Sequence, residues 1–453
     1  MSANNAQGAA VKEKFEPCQV WGLFMILTIV YGFILAFAKG EAGSIFQGLW
    51  TIYTSPAVLT TDYFALAGAG PAFINSGMAG LLILFVFKRA QLPLGGPQMG
   101  VFGLTMGFAL LGKNPVNMIP ILFGAYLFSL YKKEPYKNHV TMAGFCTCLG
   151  PVVSQPAHIP QIVGAIGVFG GMAMGALLGI FFGFVINAKA VFIRKSHEGL
   201  NLYNIGWGAG LLAMGLTAVY KAMGITEPFA PVAGSALAAG SLNAELTMYV
   251  IGMAVFFLVM GLLAGGKLGE LTEILYMQAD NNLFYTEYGK GHTYLAMGIL
   301  STLVVALILT FNININAPVL GAAISMVGWA GFGKAVANCV TIIAGVMLGG
   351  LTRYYMAPAI PGAASLYAFY TTQPVVWSSA FWGTCLSPMA KYFGWRWGIV
   401  IGMVHFYFAS TIAPFHFGQN LYNNGLAAGF VCVVMIPIIR SFDRAGKYPP
   451  RAV

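Results

Sequence analysis

Apolar runs near 20 residues recur along the chain from Gln19 to Ile439, which is the length a helix needs to cross a bilayer. Spans are expected at 19–38, 72–87, 97–112, 115–131, 139–155, 161–186 and 203–221. A second set is expected at 246–265, 293–311, 318–334, 336–352, 366–388, 396–414 and 421–440. Several of these are short, interrupted by Gly or Pro, or joined by almost no loop. They read as broken or re-entrant helices, tolerated at membrane depth only where protein or a cavity surrounds them.

Composition agrees with that pattern. Of the 453 residues 58% are hydrophobic and 8% charged, with a mean hydropathy of +0.76, against roughly 25% charged for a soluble domain. A soluble globular protein is excluded, and the lipid bilayer is the first partner. The fold class is an all-α integral membrane protein. The net charge of +10 does not point to nucleic acid, because the basic residues lie mainly in short loops between apolar runs. Lys88, Arg89, Lys132, Lys133, Lys137, Lys189, Arg194, Lys195, Lys267, Lys290, Lys391, Arg396, Arg440, Arg444, Lys447 and Arg451 fall on one side if every element crosses. Only Lys39, Lys113, Lys221 and Arg353 fall on the other. By the positive-inside rule both termini are cytoplasmic, in a multi-pass protein of the cell (plasma) membrane. The polar leader with Lys12, Glu13, Lys14 and Glu16 is too long and too mixed in charge for a cleaved signal.

The chain repeats itself. Residues 197–210 (HEGLNLYNIGWGAG) and 416–429 (HFGQNLYNNGLAAG) agree at nine of fourteen positions without a gap. A second block pairs Pro97/Pro318, Gly100/Gly321, Gly107/Gly328, Gly112/Gly333, Lys113/Lys334, Asn117/Asn338 and Gly124/Gly345. A third pairs Thr147-Cys148-Leu149-Gly150-Pro151 with Thr384-Cys385-Leu386-Ser387-Pro388. With about seven membrane elements in each half, an odd number, the second half enters the membrane upside down. The expected organisation is a cytoplasmic segment over 1–18, repeat one over 19–225, an inverted repeat two over 226–442, and a cytoplasmic tail over 443–453. Inverted-topology repeats place a solute path near the midplane between the halves, lined by broken helices.

The candidate path residues follow from the paired blocks. Lys113 and Lys334 are equivalent, and an intramembrane charge is a functional-site hypothesis by default. Two cations at a vestibule would favour an anionic or strongly dipolar solute. At a span end, each could instead snorkel to the interface. Asn201, Tyr203 and Asn204, with Asn420, Tyr422 and Asn423, put amides and a phenol where a helix begins, which suits capping and solute binding alike. Asn117, Asn338, Thr147 and Thr384 complete the polar set, and His197 and His416 are candidates for a proton or polar relay. Asp62 and Glu287, in Thr-Asp-Tyr and Thr-Glu-Tyr, read as solvated linker carboxylates. Cys148 and Cys385 could hold a soft metal but suit ordinary small buried positions better. The six cysteines include no zinc-type pair, so no metal, cofactor or disulfide framework is expected. The sequence has no hydrolase motif, P-loop, dinucleotide fingerprint or HExxH cluster, which disfavours an enzyme.

Two stretches resemble the urea transporter family. Asn114-Pro115-Val116 followed by Ile121-Leu122-Phe123-Gly124 is similar to that family's Asn-Pro helix. Gly199-Leu200 and Tyr203-Asn204 before a Gly/Leu/Ala helix are similar to its Gly-Leu-x-Gly-Tyr-Asn segment, and Tyr422-Asn423 recurs in the second half. The resemblance implies a narrow pore in each protomer of a homo-oligomer, passing small neutral amides. The chain departs from it at Asn117-Met118, where the family has Ser-Gly, and at Ala335-Val336, where a second Asn-Pro belongs. Phe108 and Trp329 stand where a polar pore residue is expected. The reading is therefore a channel or transporter for a small polar solute. An ion-coupled carrier of a small anion and an intramembrane enzyme are the alternatives.

Overall fold

A backbone in hydrocarbon must satisfy its own N–H and C=O groups, and this chain does so with helices alone among the described residues. The computed structural model describes residues 15–226, 241–276, 284–356 and 364–451. Most of the expected N-terminal segment, including Lys12, Glu13 and Lys14, lies outside them. So do residues 227–240, where the second repeat is expected to begin.

The first half runs α1 (Pro17–Ala38), α2 (Ile45–Tyr53), α3 (Tyr63–Ala67), α4 (Ala69–Arg89), α5 (Gly96–Phe108) and α6 (Pro115–Lys132). It continues with α7 (Val140–Cys146), α8 (Gly150–Ser154), α9 (Pro160–Ser196) and α10 (Asn204–Ala222). The second half runs α11 (Asn243–Leu263), α12 (Leu271–Tyr276), α13 (Phe284–Phe311), α14 (Ala317–Gly328) and α15 (Val336–Met356). It closes with α16 (Leu366–Thr372), α17 (Pro374–Gly383), α18 (Ser387–Phe393), α19 (Trp395–Thr411) and α20 (Asn423–Ser441). Every expected apolar run falls on helix. The run at 139–155 is divided into α7 and α8 by a tight turn at Thr147–Leu149, and that at 366–388 is divided at Gln373, between α16 and α17, and by a tight turn at Thr384–Leu386. Among the described residues seven helices, α1, α4, α9, α11, α13, α15 and α20, are long and apolar enough to cross a bilayer. Outward-facing Phe37, Phe85, Phe169 and Leu177 are each at least 60% exposed, an apolar rind that only lipid or another apolar surface would cover. The chain is a multi-pass membrane protein.

The centre is a crossing of two short helices, one from each half. α5 has 13 residues, about 20 Å of helix, too short to span the hydrocarbon. It packs against α14 backbone to backbone. A Cβ on Gly107 would lie 2.3 Å from the carbonyl oxygen of Gly321, and a Cβ on Gly321 would lie 2.6 Å from that of Gly107. Only glycine permits this approach, the small-residue packing that bilayer interiors favour because lipid supplies no hydrophobic drive between helices. The contact is reciprocal, as in an interface between two like surfaces.

Two expectations fail here. Lys113 and Lys334 do not snorkel: their exposures are 0% and 1%. Each directly follows a glycine and precedes the long helix that comes next, and that turn lies inside the packed centre. Lys113 therefore does not belong among loop charges. Asp62 is not a solvated linker carboxylate either. It is fully buried, accepting from Phe64 N (2.8 Å) and Ala65 N (3.2 Å) at the start of α3 and from Ala317 N (3.0 Å) at the start of α14. One carboxylate caps helix ends from both halves, where exposed N–H groups and the helix dipole favour an anion. Glu287, its counterpart in sequence, is exposed.

Candidate functional site

The repeated block forms two turns of the same shape, one leading into α10 and one into α20. In each, two consecutive residues adopt the left-handed conformation: Glu198 (φ 51°) and Gly199 (φ 71°), then Phe417 (φ 48°) and Gly418 (φ 65°). Glycine adopts that conformation without cost, whereas Glu198 and Phe417 do so against their side chains.

Histidine and asparagine fix each turn. His197 Nε2 bonds Asn204 Oδ1 at 2.8 Å, and His416 Nε2 bonds Asn423 Oδ1 at 3.0 Å. The other ring nitrogen accepts from the backbone N–H of Asn201 or Asn420, at 3.3 Å in both cases. This assigns a neutral ring with its proton on Nε2. Both nitrogens are thus engaged within the turn, which is a positioning arrangement. Asn201 and Asn420 tie the halves together. The Nδ2 of Asn201 donates to Gly425 O at 3.2 Å, and that of Asn420 to Gly206 O at 3.3 Å. Each turns its Oδ1 to the N–H of the following tyrosine, Tyr203 at 2.8 Å and Tyr422 at 3.1 Å. Leu202 N donates to Cys385 O and Leu421 N to Cys148 O, both at 3.0 Å, so each turn rests on the tight turn of the opposite half.

Tyr203 and Tyr422 meet between the halves with ring centroids 4.7 Å apart. Trp329 packs on Tyr203 and Phe145 on Trp329, at 5.1 and 5.2 Å. Phe108 packs on Tyr422 and Trp382 on Phe108, at 5.4 and 5.6 Å. Sequence reading singled out the two tyrosines but not this cluster; the signal was present in Phe108 and Trp329, equivalent positions where a polar residue was expected.

The lysines flank the tyrosines and differ from each other. Lys334 Nζ donates to Tyr203 OH at 3.0 Å and Thr384 Oγ1 at 2.7 Å and lies 4.8 Å from the Tyr203 ring centre. Lys113 Nζ reaches only Thr105 Oγ1, at 3.5 Å, and the Phe108 ring, at 5.3 Å. Neither is ion-paired among the described residues. A buried ammonium without a counter-ion is costly. Tyr422 OH, which by equivalence matches the hydroxyl that Lys334 holds, has no hydrogen-bond partner among the described residues.

The remaining candidates divide. Thr147 and Thr384 both turn their hydroxyls to the carbonyl three residues before, Gly144 O at 2.7 Å and Phe381 O at 2.6 Å, and Thr384 alone also accepts from a lysine among the described residues. Asn117 closes a reciprocal cap with Asn114, at 2.9 and 3.0 Å, at the start of α6. Asn338 lies within α15 and is half-buried, and with Ala335 in place of the capping asparagine no such box forms. The six cysteines are free, and among the described residues no group of three or more His, Cys, Asp or Glu could hold a metal ion.

The surroundings of the two turns also differ. Beside the first is a cavity of about 100 Å³, lined among others by Phe145, Arg194, His197, Asn204, Trp329 and Tyr422. Arg194, counted in sequence only as a loop charge, is the one cation in that lining among the described residues. At the second turn the equivalent space is occupied by the segment between α2 and α3. Leu59 N donates to Gly418 O at 3.0 Å, a Cβ on Gly418 would meet Val58 at 2.5 Å, and one on Gly112 would meet Leu421 at 2.5 Å and Ala57 O at 2.7 Å.

No curated protein matches the chain, and no solved structure does. A family model does match, over residues 41–222 and 265–441, beginning short of α2 and ending at the last residue of α20. The chain belongs to that family, described as protein of unknown function (DUF1576).

Proposed function

We propose that the protein is a secondary transporter, a carrier that moves a small polar or anionic solute between two inverted repeats. The observation that carries the reading is the unequal treatment of two equivalent turns, one beside a cavity and one covered by residues 57–59. Exchange of those two conditions is what alternating access requires of inverted repeats, each half adopting in turn the conformation of the other. The two tyrosines in contact and their aromatic neighbours fill the space between, which suits a gated carrier better than an open pore.

The inversion has its own support. Lys39 at the end of α1 pairs with Glu245 at the start of α11 at 2.7 Å, while Glu16 at the start of α1 pairs with Lys290 near the kink of α13 at 2.9 Å. α1 and α11 therefore run in opposite directions, as inverted counterparts must. Arg440 at the end of α20 bridges Glu198 just past the end of α9, so Arg194, Lys195 and Arg440 share one side, and this supports a cytoplasmic side there by the positive-inside rule.

Counterflow in proteoliposomes tests the reading. Vesicles preloaded with unlabelled acetate, acetamide or urea are given the same solute labelled outside. A carrier accumulates label transiently and saturably for at least one of them. Linear, non-saturable flux would replace the carrier with a urea-like channel, and turnover without flux would replace it with an enzyme.

A further inference from the structure

The cavity beside the first turn has a definite hydrogen-bonding character. Asn201 Oδ1 already accepts from Tyr203 N, Asn204 Oδ1 bonds His197, and His197 Nδ1 accepts from Asn201 N. Arg194 adds the only charge, and no carboxylate pairs with it among the described residues. A guanidinium donates and never accepts.

Size and wall narrow the class. About 100 Å³ admits several water molecules or one solute of a few non-hydrogen atoms. Phe145 stacks on Trp329 with an interplanar angle of 22°, and Met142, Leu202 and Phe332 complete an apolar wall. That wall suits an anion with a carbon body better than a strongly hydrated inorganic one.

We propose that this cavity is a binding site for a small organic monoanion, a short-chain carboxylate, whose charge meets Arg194 and whose carbon body lies against the Phe145–Trp329 wall. The proposal rests on the transport reading in taking the bound anion for the solute carried. Lys334 and Lys113, beyond the tyrosines, are the next cations on a path between the halves.

Equilibrium dialysis of labelled acetate against the purified full-length protein in detergent tests it, with acetamide as the neutral competitor of nearly the same shape. Saturable acetate binding is expected, displaced by propionate and not by equimolar acetamide. Arg194→Gln should weaken it about tenfold or more, since a charged hydrogen bond is roughly twice as strong as a neutral one. Arg194→Lys, which keeps the charge, should retain most of it. Absence of saturable binding, equal displacement by acetamide, or undiminished binding in Arg194→Gln would overturn the proposal. The vesicle experiment is read separately. Acetate that binds but is not carried retires transport and keeps the site; a solute carried without acetate binding retires the site and keeps transport.

Discussion

The two turns at 197–204 and 416–423 are the same object in different surroundings. Histidine, asparagine, two left-handed residues and a tyrosine are arranged alike in both, with equivalent hydrogen bonds agreeing to within 0.3 Å. What differs lies outside the turn: a cavity with Arg194 beside one, and the Ala57–Leu59 segment against the other. Local sequence therefore sets the shape of each turn, and sequence distant from it sets its accessibility. The largest expected effect follows directly. In a Cys18→Ser background, Leu202→Cys should react with a membrane-impermeant thiol reagent at least about tenfold faster than Leu421→Cys, because thiol reactivity follows exposure. Adding Val58→Gly and Leu59→Gly should raise labelling of Leu421→Cys from the opposite side of the membrane. Equal rates in the first pair would dissolve the contrast.

The lysines extend the comparison. Lys334 has two hydrogen bonds and a tyrosine ring, and Lys113 has one long bond and a phenylalanine ring. Lys113→Met should therefore raise thermal stability in detergent by about 1 to 3 kcal/mol, since an uncompensated buried charge is removed. Lys334→Met should gain less, because it strips a partner from Tyr203 OH and Thr384. Both variants should lose solute flux. A larger gain for Lys334→Met would reverse the reading of which cation is better satisfied.

Asn201 and Asn420 supply the control, the one place where the halves should behave alike. Each bonds a backbone carbonyl of the opposite half and the N–H of its own tyrosine. Alanine at either position should cost roughly 1 to 3 kcal/mol, and by similar amounts. Unequal costs would mean that the halves carry different loads despite their matched geometry.

What could be read in the sequence was what short-range chemistry dictates. Apolar runs marked the helices, and the Asn-Leu-Tyr-Asn blocks marked helix starts because asparagine caps there. The paired lysines were legible as a pair, but their burial was not: a cation beside a short loop looks the same whether that loop reaches water or turns inside the protein. Asp62 illustrates the same limit, since its third helix-capping bond goes to Ala317, 255 residues away. Arg194 was indistinguishable from any loop arginine. The cavity beside it depends on Trp329 and Tyr422 from the other half, which no local pattern brings together.

The smallest expected effect concerns how each turn is held from outside. At the first, Arg440 at the end of α20 makes a two-pronged bridge to Glu198, at 2.6 and 2.7 Å, and Arg451 N adds a bond at 3.0 Å. At the second, the equivalent Lys221 lies over the Phe417 ring at 5.3 Å. Hydrogen bonding to Arg440 holds the Glu198 carboxyl below the usual glutamate range. A carboxyl lowered in the folded state contributes stability that is complete above its unfolded value, about 4.3, and that is lost as pH falls through the lower folded value. Glu198→Gln should therefore cost about 1 kcal/mol at pH 7, the scale of a partly exposed pair, and the gap to wild type should close on acidification below about pH 4. Phe417→Leu removes a contact with no titrating acid, so its cost should stay flat over the same range. Melting curves of both variants in detergent between pH 7 and pH 3 separate the two locks. A Glu198→Gln deficit that persists unchanged to pH 3 would assign the stability to packing of the left-handed turn rather than to the charge that closes it.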